Sequence, residues 1–340
     1  MHVVLALAVV LGTASAPLLI LPAEITESSG VATSSLSDEW LFTHEDSGTP
    51  AQFHAVGSDG RLLATYLLPD VQARDWEDIA RGPDELGRSS LWLGDIGDNN
   101  ARRELGLLVH RVPEPRPDPA RTGVEVTTEP PVSFRLRYAD GPGDAETVLV
   151  HPRTGRLYLV NKPIGGSPGL YAAPEVLDPD GPNALTRVAD VRGVSSTGTS
   201  GGPGIGGVAN LLVTGGDIAP DGSRVALRTY TDLYEWPVED DDVAGAVQGE
   251  PVVTALPPTF QGEGAAYTRD GSALLLTSEG EGAPVHRVSA ADLGDRRTGA
   301  ASTAADDEPL WRRPAALAAG GLVGALLLAT VLRRWRRRHG

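Results

Sequence analysis

Carboxylates recur in this sequence just ahead of short aliphatic runs, a pattern suited to cation binding or to acid and base work. Asp75-Trp76-Glu77-Asp78-Ile79-Ala80 sets polar residues before apolar ones, and Asp144-Ala145-Glu146-Thr147-Val148-Leu149 and Gln261-Gly262-Glu263-Gly264-Ala265-Ala266 repeat the arrangement. Glu27-Ser28-Ser29-Gly30-Val31-Ala32 and Thr214-Gly215-Gly216-Asp217-Ile218-Ala219 keep the polarity with less acidity. Gathered carboxylate oxygens ligate a hard cation such as calcium, or act in pairs as general acid and base. Glu77, Glu146 and Glu263 are therefore the candidate catalytic residues. Asp95 and Asp98 are the candidate metal ligands, because Asp95-Ile96-Gly97-Asp98-Asn99-Asn100 is rich in oxygen donors. That run does not follow EF-hand spacing, and a turn held by its own side chains explains it as well. For any one motif carboxylate, capping the backbone of a neighbouring strand competes evenly with a functional role.

The elements that must hold these residues follow from the repeat. The motif begins at residues 27, 75, 144, 214 and 261, giving intervals of 48, 69, 70 and 47 residues. Such intervals suit one supersecondary unit per repeat. Strand-length runs follow each copy, with Asp-Gly or Thr-Gly turns between the first and second strands of several units. The expected fold is all-β: a five-bladed β-propeller, six blades being the alternative, followed by one C-terminal transmembrane helix. Residues 18–21 would supply the outer strand that closes the last blade. Residues 113–131, rich in Pro, and 193–207, rich in Gly and Ser, are expected to lack regular structure. Within the second tract, Gly198-Thr199-Ser200-Gly201-Gly202 fits a nucleophile-elbow pattern but lacks the strand before and helix after that such an elbow needs.

Antiparallel pairing brings the start of each first strand to the same face as the end of the second. The motif acids should therefore meet the residues that end second strands at one channel mouth. Asp75, Asn99, Asn161, Lys162, Arg228, Tyr230 and Glu279 are the candidate ligand-binding residues on that ground. Lys162 is the only lysine in the chain. It and Arg228 would neutralise adjacent acids or clamp a phosphate or carboxylate, with neutralisation favoured.

Composition agrees with many short strands, since 41 Gly and 27 Pro oppose long helices. The absence of cysteine excludes disulfides and thiolate metal sites, and the scattered histidines lack zinc-ligand spacing. The formal charge of −16 argues against a nucleic-acid partner. Residues 1–16 read as a signal peptide, 17–295 as an extracellular domain and 296–313 as a flexible stalk. The uncharged run 314–332 reads as a membrane-spanning helix. Arginine-rich 333–340 is its cytoplasmic tail, which makes the chain a single-pass cell-membrane protein with its body outside.

The recurrent Glu-x-aliphatic-Ala at strand starts, together with Leu91-Trp92-Leu93-Gly94-Asp95-Ile96-Gly97-Asp98-Asn99, resembles exported bacterial propellers described as phytase-like or SdiA-regulated. The resemblance spans about residues 20–290. It implies calcium in or near the channel and, for true phytases, hydrolysis of phosphate esters. This chain has five motif copies where six blades are usual, and few basic residues to meet a polyphosphate. Recognition of a small molecule, glycan or protein at an acidic mouth is the leading expectation. A calcium-assisted hydrolase of phosphate esters or glycans, and a structural scaffold, are the alternatives.

Overall fold

Turn chemistry cuts the chain into strands. Gly155, Gly222 and Gly271 take positive φ between the first and second strands of their units, where a residue without Cβ is unstrained. The computed structural model describes residues 16–46, 50–98, 106–141, 143–163, 165–204 and 206–293. The expected signal peptide up to residue 15, Asn99, the stalk from residue 296, the apolar run 314–332 and the basic tail lie outside the described residues. Among the described residues no helix is long and apolar enough to cross a membrane.

The strands are β1 (Leu19–Ile20), then β2 (Ser28–Thr33), β3 (Trp40–Glu45), β4 (Gln52–Gly57) and β5 (Leu62–Leu67). Next come β6 (Trp76–Pro83), β7 (Ser89–Asp95), β8 (Leu107–Pro113), β9 (Val124–Thr127) and β10 (Val132–Tyr138). The third group is β11 (Ala145–Val150), β12 (Leu157–Asn161), β13 (Gly169–Ala172) and β14 (Pro182–Asp190). After a 3-10 turn at Gly206–Leu211 follow β15 (Val213–Ile218), β16 (Arg224–Thr229), β17 (Asp232–Pro237) and β18 (Val252–Ala255). The last are β19 (Gly262–Tyr267), β20 (Ala273–Ser278) and β21 (Pro284–Ser289).

Strand order is β2-β3-β4-β5-β9 in one sheet and β15-β16-β17-β18 in another. A third runs β1-β21-β20-β19, so the start of the chain supplies the outer strand of its last sheet. The eight-stranded sheet is two antiparallel meanders, β6-β7-β8-β10 and β11-β12-β13-β14, joined by parallel pairing of their outer strands β10 and β14. The tract 113–131, expected to be irregular, contains β9. Its Val124 and Val126 suit an extended strand, and it lies parallel to β5, covering an otherwise open sheet edge. The 3-10 turn likewise begins inside the tract 193–207.

The first strands β2, β6, β11, β15 and β19 pack in a closed cycle, each against the next and β19 back against β2. Apolar side chains fill the gaps between neighbours. Phe42 and Phe53 meet Trp76, Ile79 and Leu91 across one gap, and Trp92 and Phe134 meet Val148 and Leu159 across the next. Further clusters join β11–β14 to β15–β18, β15–β18 to β19–β21, and β19–β21 back to β2–β5. This is an all-β, propeller-type arrangement.

Buried carboxylates stitch the cycle together. Asp78 accepts the N–H of Ile79 at 2.9 Å and that of Val148, in the adjacent β11, at 2.9 Å. Asp217 accepts the N–H of Ile218 at 2.8 Å and that of Tyr267, in the adjacent β19, at 2.8 Å. Burial raises the Asp217 pKa to about 6, against the pull of these two N–H groups. Because the folded chain holds that proton more tightly than the unfolded one, the contribution is present below about pH 4 and is lost as pH rises through about 6. It amounts to roughly 3 kcal/mol. His44, His54 and His110, lowered to about 4 mainly by burial, slope the opposite way in the same window. The expected result is therefore a difference: Asp217→Asn destabilises by about 1–3 kcal/mol through a lost acceptor, and the gap to the parent chain narrows from pH 4 to pH 6. Urea titrations across that range check it.

Candidate metal centre

Every inner strand carries a bulge near its start. Pairing register skips Ser29 in β2, Glu77 in β6, Glu146 in β11 and Thr214 in β15, and opposes Glu263 and Gly264 to a single residue in β19. A bulge leaves its extra residue outside the ladder and re-aims the side chain. Ser29 Oγ donates to the carbonyl of Glu77 at 2.6 Å, and Thr214 Oγ1 to that of Gly262 at 2.9 Å, each closing on the neighbouring strand. Glutamates have no short hydroxyl to close on the neighbouring strand in this way, and Glu77, Glu146 and Glu263 gather at the mouth instead.

Thr214 thus occupies the place of Glu77, whereas the sequence repeat set it beside Asp75. The strand accordingly starts at Val213, ahead of the motif copy. A slip of two residues preserves the face of every side chain, so nothing in the sequence pattern marks it.

Two carboxylate triads share Glu77. One oxygen each from Asp46, Asp75 and Glu77 lie within 4.8 Å of one another, and so do oxygens of Glu77, Asp144 and Glu146. Oxygens bound to calcium at 2.3–2.6 Å lie at most roughly 5 Å apart across the ion, so either triad fits. Gly97 keeps the place open: a Cβ there would stand 2.1 Å from Glu77 Oε1 and 2.6 Å from Asp75 Oδ2. Glu77, Glu146 and Glu263 are each at most 6% exposed. Glu263 Oε2 is buried and has no hydrogen-bond partner among the described residues.

The electrostatics suit a bound cation. Burial first, then the charges of Glu146 and Asp75, hold the Glu77 carboxyl well above the carboxylate range. Asp46 is raised by burial and by Asp75. Glu263 is raised by burial, with Lys162 opposing and Glu279 and Glu146 reinforcing. Burial lifts Glu146 only to about 7, because Lys162 opposes it, with Nζ 2.8 Å from Glu146 Oε1. For Lys162 itself burial disfavours the charge, but Glu146, Tyr230 and Glu263 outweigh it and keep the amine protonated. Among the described residues, Lys162 and Arg228 act on these carboxyls; a divalent cation would favour their ionised forms further.

The other sequence-predicted residues are distributed as follows. Tyr230 OH accepts from Lys162 Nζ at 3.3 Å, and Glu279 Oε1 accepts from Gln261 Nε2 at 2.6 Å. Asn161 Oδ1 accepts the N–H of Gly169 at 2.6 Å, pinning the β12–β13 turn. Arg228 is turned inward: it donates to the carbonyls of Gly264 and Thr277 at 3.0 Å each, and burial lowers its pKa to about 10. Asp95 pairs with Arg74 at 3.1 Å and accepts the N–H of Asp75 at 3.2 Å. The N–H of Asp98 donates to Asp144 Oδ1 at 2.6 Å. Asp95 and Asp98, the expected metal ligands, thus flank the triads and position them. The triads themselves add Asp46 and Asp144, which sequence reasoning placed at the mouth without assigning them a ligand role. For Asp144 the signal was available, since it precedes Glu146 as Asp75 precedes Glu77.

Fold and site together define a propeller-type protein with a buried acidic ring at one end of its axis. No protein-family model matches the chain, and no curated protein matches it by sequence. Similar solved structures include a gluconolactonase of Xanthomonas campestris, 15% identical with a TM-score of 0.39, covering 78% of this chain and 77% of that one. Another is a glucose dehydrogenase-type oxidoreductase of Thermus thermophilus, 11% identical with a TM-score of 0.40, covering 79% of this chain and 99% of that one. Both scores lie below 0.5, and the fold assignment rests on the strand order and the closed cycle of first strands.

Proposed function

We propose that this is an exported, membrane-tethered propeller of five blades that binds a calcium-type cation at its acidic mouth and recognises a small molecule, glycan or protein there. The observation that carries the reading is Glu77, shared by two carboxylate triads of calcium-ligand spacing. Oxygen-only donors favour calcium over transition metals. Support for five blades comes from the meanders whose first strands close one cycle. Export rests on the 1–16 leader pattern, and the tether on the 314–332 run with the arginines after it. The acidic body argues against nucleic acid as a partner.

Calcium is expected to raise the melting temperature of the full chain at neutral pH, chelator to reverse the gain, and magnesium to give a smaller one. An unchanged melting temperature in saturating calcium refutes the reading. A second reading, a calcium-assisted hydrolase of phosphate esters or glycans, is favoured by the fixed position of Glu146, which Lys162 holds beside Glu77 where a carboxyl could transfer a proton. Turnover of such esters or glycosides by the calcium-loaded chain decides between the two.

A further inference from the structure

We propose that Lys162 is a built-in counter-ion that sets how many cations the mouth holds: its ammonium closes the Glu77–Asp144–Glu146 side, and its removal opens a second cation position there. The inference rests on the cation-binding reading above. Both the backbone and the side chain of Lys162 are held in place. It follows β12, and its backbone N–H donates to the carbonyl of Asp144 at 3.1 Å. Its side chain lies over the ring of Tyr230, with Nζ 5.5 Å from the ring centroid, and is only 10% exposed.

At 2.8 Å from Glu146 Oε1, Nζ stands nearly where a calcium ion held by that oxygen would stand, at about 2.3–2.6 Å. An ion on the remaining oxygens of the same triad would still lie close to the ammonium and be repelled by it. Glu263 supplies the independent sign of an unfilled position. Its buried Oε2 has no hydrogen-bond partner among the described residues, and the positive charges that act on Glu263 are Lys162 and Arg228. Arg228, the other buried cation here, is engaged with carbonyls. With the ammonium gone, Glu77, Asp144 and Glu146 would offer an all-carboxylate set for a second ion, and Glu77 would bridge the two.

The test is calorimetric titration of the full chain with calcium alone at pH 8, on the parent, Lys162→Met, Lys162→Gln and Lys162→Arg. One ion is expected for the parent and the arginine variant, and two for each neutral variant. The neutral variants should also be destabilised in chelator and recover in excess calcium, since the ion replaces the lost charge. Parent-like stoichiometry in both neutral variants, a second ion in the arginine variant, or neutral variants that stay unfolded in excess calcium each overturn the proposal. A parent that binds no ion while Lys162→Met binds one removes the functional reading and leaves this one standing. Absence of binding in every variant removes both.

Discussion

Glu77→Gln is expected to abolish calcium-linked stabilisation while leaving the calcium-free chain as stable as the parent or more so. Glu77 belongs to both triads, so its loss removes one ligand from each, and an amide offers a single neutral oxygen. A loss of affinity of about a hundredfold would erase about 2.7 kcal/mol of linkage at a calcium concentration that saturates the parent, or roughly 5–10 °C in melting temperature. The calcium-free chain responds in the opposite sense. Burial and the neighbouring charges of Glu146 and Asp75 make the ionised Glu77 unfavourable there, and glutamine removes that repulsion. A scaffold role for Glu77 predicts the reverse: a lower melting temperature without calcium and an unchanged calcium increment. Thermal melts of both chains, with calcium and with chelator, separate these outcomes.

Gly264→Ala should be among the most destabilising single-methyl changes in the chain, costing about 3 kcal/mol or more. A Cβ at this position would lie 2.7 Å from the amide nitrogen of Val31, 2.8 Å from the carbonyl carbon of Gly30 and 2.6 Å from Thr277 Oγ1. Two of these three atoms belong to the backbone of β2, the strand that closes the cycle against β19. Side chains yield by rotating, but backbone yields only if the sheets part, and parting here opens the apolar cluster between first and last sheets. Gly207→Ala is the control, since no atom lies within 4 Å of its added methyl, and its cost should stay within about 0.5 kcal/mol. Guanidinium titrations of both variants measure the contrast. Equal costs would mean that β19 and β2 are not neighbours.

Much of the architecture was legible because strands and turns are local. The run Val132–Tyr138 alternates apolar and polar residues, and β10 spans those residues; residues 18–21 were expected to close the last sheet, and β1 does pair with β21. What local pattern misses is pairing that depends on a distant partner. The strand β9 sits in a proline-rich tract whose composition argues for a loop, and it is held by β5, far away in sequence. Likewise the joining of β10 to β14 arises only when two sheet edges meet in space.

The same division runs through the site. Composition and period alone determined that acids would converge at the starts of inner strands and that one lysine would stand among them, because antiparallel pairing converts sequence position into a face. Only the folded chain decided which acids come within ligand distance of one another. The bulges aim Glu77, Glu146 and Glu263 out of the ladder, Asp46 arrives from a strand end that no motif marks, Asp144 meets Glu77 of the neighbouring sheet, and Asp95, the most conspicuous donor in the sequence, is engaged by Arg74. Ligand sets are fixed at the scale of a few ångströms, and that scale is set by bulges and by contacts between sheets, which a linear pattern does not encode.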